Sequence, residues 1–212
     1  MVDPLINRLG HIGVLMGGSS SEREISLRSG KAIFEALKQR GCQVSAIDIN
    51  SSLEDAIISL LKNAAIDAAF IALHGQLGED GVIQGILEKL KIPYSGSGVE
   101  ASRLAISKVA TQKRFRQNGI PVANFQVVEK NDAQAQKNTI EAIKNFPVVV
   151  KPSCQGSSIG ITLVEKKENL WPALKEAFCY DHEVLVEEYI RGRELTVGIL
   201  DDEALPVIEI KP

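Results

Sequence analysis

Short apolar runs alternate along the first hundred residues with longer stretches whose apolar positions recur every three or four residues. His11 to Met16 is a compact apolar run closed by Gly17-Gly18, the signature of a buried strand entering a turn. From Glu22 to Arg40, Ile25, Ile33 and Leu37 share a helical face with small Ser29, Ala32 and Ala36, and Gly41 sits where a helix terminator belongs. Val44–Ile49 predicts a second strand, Leu53–Asn63 a second helix, and Asp67–Leu73 a third strand ending at His74-Gly75. Gly81–Lys91 predicts another helix, followed by Ile92-Pro93-Tyr94 and the Ser95-Gly96-Ser97-Gly98 stretch. Strands and helices in this alternation make a parallel sheet covered by helices.

The pattern changes after a boundary placed between Gly98 and Leu104. A polar helix is expected over about Ile106–Asn118, then an edge-like strand at Phe125–Val128 and a helix near Ala133–Asn145. Phe146–Pro152 is an apolar stretch with a lysine, Lys151, closing its strand, and the Gly/Ser loop Ser153–Gly160 leads into strand-like Ile161–Val164. Asn169–Phe178 predicts a helix, Val184–Ile190 a strand, and Leu195–Leu200 with Leu205–Ile210 an antiparallel pair. The fold class expected is α/β, with a parallel-sheet domain over residues 1–102 and an α+β domain over 103–212.

Composition leaves this picture in place. Hydrophobic residues at 44% and charged residues at 24% suit a folded globular chain rather than a disordered one. A net charge of −3 without a basic stripe gives no reason to expect a nucleic acid partner. No apolar run approaches the ~20 residues of a membrane span, and Met1-Val2-Asp3-Pro4 lacks the order of a signal peptide, so the cytoplasm is expected. Cys42, Cys154 and Cys179 have neither disulfide-framework nor zinc spacing. Cys154 invites a nucleophile reading from its loop, but no histidine stands near it in sequence.

Four segments carry possible chemistry. Lys151 closes a buried strand and must meet an anion or reach water, while the loop after it offers hydroxyls and freely oriented N–H groups, the ingredients of a phosphate cradle. No Walker triplet is present, and a surface hairpin beside a strand-end lysine accounts for the loop equally well. Val184-Leu-Val-Glu-Glu-Tyr-Ile190 places acids at a strand end, either to accept bonds from a ribose and an adenine amine or to protect a solvated edge. Gly17-Gly-Ser-Ser-Ser-Glu-Arg-Glu24 reads first as a capped helix start, with acids in the first turn. The same turn could offer N–H groups to a small anion. His74 lies in a glycine-rich loop at the carboxyl end of the third strand, where parallel sheets place ligands.

Together and in this order the segments resemble the D-alanine–D-alanine ligases of the ATP-grasp superfamily. The stretches concerned are Val14–Leu27, Phe70–Gly81, Ile92–Gly98, Val148–Ser153 with Gly156–Gly160, and Glu187–Ile190 with Glu194. The resemblance implies a Rossmann-like pre-ATP-grasp domain followed by the first part of an ATP-grasp domain. It also implies an ATP- and magnesium-dependent reaction. One D-alanine carboxylate is phosphorylated and the amine of a second attacks the acylphosphate, giving a dipeptide for peptidoglycan.

By the same resemblance, Glu22 anchors the ammonium of the first D-alanine, Ser157 bonds that glutamate, and His74 stands beside the substrate. Lys108 and Lys151 hold ATP phosphates under the loop containing Ser157 and Ser158. Glu187 and Glu194 lie around adenine and ribose, and Glu188, Tyr189 and Ile190 form the adenine edge, position 188 through its backbone. A homodimer is expected. The family's magnesium ligands and transition-state arginine lie on later strands, beyond Ile210-Lys211-Pro212, so this polypeptide alone is expected to be inactive or nearly so. Two other readings stand beside this one: a ligase joining D-alanine to D-lactate or D-serine, and a non-catalytic fragment that binds a nucleotide or D-amino acid.

Overall fold

The computed structural model describes residues 8–211 and forms two compact units, Met1–Ile120 with Ser153–Ile159, and Pro121–Pro152 with Gly160–Pro212. Met1–Pro4, inspected above for a signal peptide, and Pro212 lie outside the described residues. The expected division at residue 102 falls inside the first unit.

The first unit is a parallel three-stranded sheet in the order β2-β1-β3, formed by β1 (Ile12–Gly17), β2 (Val44–Ile49) and β3 (Ala68–Ile71). All six residues of β1 are buried because both faces of the sheet are covered, which is why its sequence is a continuous apolar run rather than an alternating one. Val14 and Met16 meet Leu27, Ile33, Phe34 and Leu37, all four on helix α1 (Arg23–Gln39). Leu15, Ile47 and Ile49 face Ile57 and Leu61 of α2 (Glu54–Ala64) and Ile83, Ile86 and Leu87 of α3 (Val82–Leu90). Gly30 lets α1 approach the sheet closely, since a Cβ there would lie 2.5 Å from the Met16 Cβ. The third strand is shorter than expected: pairing ends at Ile71 opposite Leu15, although the Ala72 N–H still reaches the Leu15 carbonyl at 2.8 Å.

Val99–Ile106, expected only as a boundary region, is helix α4, and α5 (Lys108–Gln117) follows after Ser107. Sequence gave no periodic signal over so short a helix, and what accommodates it is the bare backbone of its neighbour. A Cβ on Gly81 would sit 2.8 Å from the Val99 carbonyl oxygen.

The second unit contains an antiparallel sheet in the order β4-β7-β5-β6, from β4 (Phe125–Glu129), β5 (Val148–Pro152), β6 (Thr162–Val164) and β7 (Glu183–Glu188). The α+β expectation therefore holds, and Phe125–Val128 is an edge strand as read. Helices α6 (Ala133–Ala142) and α7 (Leu170–Ala177) cover one face, where Val128, Val148, Val150, Val164, Val184 and Val186 pack on Ile140, Leu170 and Leu174. The C-terminal pair is interrupted. β8 (Glu194–Thr196) pairs with β11 (Ile208–Ile210), while β9 (Ile199–Leu200) pairs with β10 (Glu203–Ala204) across Asp201-Asp202. Both aspartates are left-handed, at φ 49 and 67°, the geometry of a two-residue hairpin turn that matches strand twist.

No helix among the described residues is long and apolar enough to cross a membrane.

Candidate functional site

The Gly17–Glu24 turn does not use its acids as caps. Glu22 occupies the N-cap position of α1 and its side chain makes no capping bond. Ser20 Oγ accepts the Glu22 N–H at 3.2 Å and donates to the His74 carbonyl at 2.9 Å, tying the β1 turn to the end of the third strand. The serine cap expected for this segment is thereby corrected, although Glu24 does stand in the first turn as read: the serine joins two loops, and the Glu22 carboxylate is left to point away from its own helix.

That carboxylate receives the hydroxyl of Ser157. It also lies against Gly75, where a Cβ would come within 2.6 Å of Glu22 Oε2. Glu22, Ser157 and the His74-Gly75 backbone therefore share one cluster inside the first unit. Ser157 and Ser158 are both left-handed, at φ 50 and 60°, in a turn closed by the Ile159 N–H on the Gly156 carbonyl at 3.0 Å. Such a conformation costs an L-residue about 1 kcal/mol or more and needs compensating contacts. The contacts are supplied by the Glu22 bond and by Lys108. The Lys108 N–H donates to the Ser153 carbonyl at 2.9 Å, and its ammonium reaches the Gln155 carbonyl. Ser107 caps α5 by accepting the Ala110 N–H at 3.1 Å and touches Ser153 Oγ at 3.3 Å.

His74 is held from two sides. Its Nε2 lies 2.9 Å from Ser29 Oγ on α1, and its Nδ1 lies 3.6 Å from Glu79. The loop bearing Glu79 is pinned by Asp80, which accepts the Leu77 and Val82 N–H groups at 2.9 and 3.0 Å. Gln84 adds a bond from its buried amide to the Gly78 carbonyl at 2.7 Å.

In the second unit, Lys151 meets an anion from its own sheet. Its ammonium pairs with the Glu187 carboxylate, of which only 5% is exposed. Register explains the meeting: Lys151 stands opposite Leu185 and Val149 opposite Glu187, and opposed residues in antiparallel strands share a face. The same face carries Phe125 opposite Glu187 and Leu163 opposite Val149. It is the face away from α6 and α7, so Leu163 stays 48% exposed. This face thus sets one ammonium and one carboxylate, paired with each other, among apolar side chains.

Glu188 turns to the other side, where its carboxylate accepts the Asn124 side-chain amide at 2.9 Å and the Asn124 N–H at 3.1 Å. Those two hydrogen bonds, the side-chain one first, hold it below the ordinary glutamate value despite some desolvation. The Glu188 N–H donates to the Asn124 carbonyl at 2.9 Å and the Tyr189 N–H to the Pro147 carbonyl at 3.3 Å. The strand ends at Glu188, two residues earlier than expected, and Tyr189 and Ile190 are exposed beyond it. Glu194 starts β8, in the separate ladder with β11.

Two family models match this chain, the D-ala D-ala ligase N-terminus over residues 11–57 and 54–97, and the D-ala D-ala ligase C-terminus over 115–212. A D-alanine–D-alanine ligase of Geotalea uraniireducens is 49% identical over 201 residues, 95% of this chain and 63% of that protein. The solved D-alanine–D-alanine ligase of Bacillus anthracis complexed with ATP superposes with a TM-score of 0.83 at 35% identity, over 96% of this chain and 66% of that one. The ligase of Coxiella burnetii is 30% identical with a TM-score of 0.77, over 95% of this chain and 71% of its own. The chain belongs to the D-alanine–D-alanine ligase family. It spans about 63% of the length of the Geotalea ligase.

Within this ligase-family chain, sequence reasoning missed the residues that brace the cluster. Arg23 forks onto Asp48 at 2.7 and 2.8 Å and reaches the Gly18 carbonyl at 3.2 Å, locking the turn beside Glu22. Hydrogen bonding to Asp48, ahead of an opposing desolvation, raises the guanidinium further above its ordinary value. Ser26, fully buried, accepts the Gly17 N–H at 2.9 Å and donates to the Ala72 carbonyl at 2.7 Å. Polar residues on the otherwise apolar inner face of α1 were the available signal, for both Ser26 and Ser29.

Proposed function

We propose that this chain is the D-alanine- and nucleotide-binding part of an enzyme that joins two D-alanines at the expense of ATP, for peptidoglycan synthesis. The observation that carries the reading is the Ser157–Glu22 bond, which fastens the Gly/Ser loop to an acid at the start of α1. A carboxylate there can receive the ammonium of a D-amino acid. Ser157 orients that carboxylate by donating to one oxygen, and His74 stands in the adjoining loop.

The nucleotide would lie along the edge of the β5 and β7 face that carries Lys151 and Glu187. There Lys151 would neutralise phosphate charge, Glu187 would accept from ribose or adenine, and the segment Glu188–Ile190 would border the base. Glu194 would contribute from β8, and the family's phosphate-holding roles of Lys108 and Ser158 belong to the same reading. ATP, when bound, supplies a phosphoryl group that turns a carboxylate into an activated acyl donor. The residues named here hold and orient it, which is the larger part of phosphoryl-transfer catalysis. Magnesium, a cytoplasmic location and a homodimer belong to the same reading. Among the described residues no group of three His, Cys, Asp or Glu side chains is placed to hold a metal, and no step is assigned to one.

Equilibrium titration tests the proposal. Saturable ATP binding is expected, weakened at least tenfold by Lys151→Met. D-alanine binding is expected to disappear in Glu22→Ala while ATP binding persists. D-alanine binding that ignores Glu22 would overturn the substrate assignment, and ATP binding that ignores Lys151 would overturn the nucleotide assignment.

A further inference from the structure

Ser29 faces His74 from the inner side of α1, and its hydroxyl has one proton to give. Ser29 Oγ lies 3.1 Å from the Ile25 carbonyl and 3.2 Å from the Ser26 carbonyl, both of which can only accept. It lies 2.9 Å from His74 Nε2. Were the hydroxyl proton directed at the imidazole, Ser29 would present bare lone pairs to two carbonyl oxygens at close range. With the proton on the helix carbonyls, as is common for serine within a helix, all three contacts are satisfied, and Nε2 must then be the donor.

From this geometry we infer that Ser29 is a positioning residue that fixes His74 as the Nε2–H tautomer and leaves Nδ1 as the nitrogen that exchanges protons. Nδ1 faces Glu79 at 3.6 Å, on the loop pinned by Asp80 and Gln84. Substrate chemistry at His74 therefore passes through Nδ1, while Nε2 is committed to the helix. The ring cannot flip without putting a carbon against Ser29 Oγ and losing that bond. The His74 backbone is fixed independently, through its carbonyl, by Ser20. Loss of the Ser29 hydroxyl thus frees the ring and leaves the loop in place.

The substrate half of this inference rests on the proposed D-alanine site, whereas the tautomer half does not. Ring nitrogen NMR on histidine-labelled protein separates them, with the His74 signals assigned against a His74→Asn variant. In the unaltered chain above pH 8, one protonated nitrogen at Nε2 and one bare nitrogen at Nδ1 are expected. In Ser29→Ala the two shifts should move toward each other as tautomers mix, and Ser29→Thr should restore the original pattern. D-alanine titration should show at least fivefold weaker binding in Ser29→Ala, with ATP binding unchanged and most of the loss recovered in Ser29→Thr. Ring shifts that stay the same in folded Ser29→Ala overturn the inference. Mixed tautomers together with undiminished D-alanine binding keep the tautomer assignment and overturn the positioning role. A chain that binds no D-alanine in any form, yet shows the tautomer change, overturns the substrate reading alone.

Discussion

Ser157 donates its hydroxyl proton to the Glu22 carboxylate across 135 positions of sequence. The bond is charge-assisted, and it restrains a turn whose two central residues are left-handed serines. A loop in that conformation has little intrinsic preference for it, so its order should depend on the anchor.

Replacing the anchor should therefore loosen the loop selectively. In Ser157→Ala the backbone amides of Gly156–Ile159 should exchange with solvent about tenfold faster, the equivalent of roughly 1.4 kcal/mol for a bond to a charged group. Amides of β1 should keep their protection. Native-state hydrogen exchange reads this directly, and equal acceleration in loop and strand would show that the whole unit had been weakened instead.

Lys151 and Glu187 should behave as a pair. Lys151→Met leaves a carboxylate that is 95% buried without its cation, and a loss of about 3 kcal/mol in urea unfolding is expected. Adding Glu187→Gln to that variant should recover a good part of the loss, because no charge then remains to be buried. Additive losses in the double variant would mean that the two side chains do not depend on each other.

Glu188 gives a pH signature with a definite sign. Its hydrogen bonds from Asn124 lower its folded-state value below the ordinary 4.5. Such a group stabilises the folded chain at pH above the unfolded value, and the contribution disappears as pH falls through the lower, folded one. The melting-temperature gap between the unaltered chain and Glu188→Gln should thus be constant near neutrality and close at pH below about 4.5. A gap that widens on acidification would contradict the assignment.

Gly30 tests the packing of α1 on the sheet. Alanine normally favours a helix over glycine by about 1 kcal/mol, but here its methyl would meet the Met16 side chain at 2.5 Å. Gly30→Ala should consequently be destabilising by about 1–3 kcal/mol, the usual range for overpacking, and the added methyl should cost less in a Met16→Gly background, where the Cβ it meets is gone. Thermal unfolding of the single and double variants decides between propensity and crowding.

What could be read from sequence followed how local each determinant is. The β1 run and the α1 stripe announce themselves because burial on two faces and on one stripe leave different periodicities. Helix α4 did not, since it is only eight residues long and its Val99 packs against Gly81 and Gly85, where no side chain marks the contact. Glu22, His74, Lys108, Lys151 and Ser157 were named by family resemblance, and so was the bond between Ser157 and Glu22, but the partners of His74, Lys108 and Lys151 were not. Lys151 finds Glu187 only through strand register, and His74 finds Ser29 only because α1 crosses the end of the third strand. Capping misled here because a serine before a run of acids satisfies the same local rule whether or not the chain uses it. The Asp201-Asp202 turn lacked the usual asparagine–glycine signal, so the hairpin was foreseen without its turn.

The chain leaves the second compact unit after Pro152, lends Ser153–Ile159 to the first, and returns at Gly160, whose missing side chain makes room for Pro152 and Tyr180. Order of synthesis then matters. At about 5–20 residues per second, the ribosome delivers Ile120 roughly 2–8 s before Ile159. During that interval every strand and helix of the first unit has been synthesised, while Glu22 still lacks the serine that will bond it. The acid at the centre of the cluster is thus completed late in translation, by a segment made only after much of another folding unit has emerged.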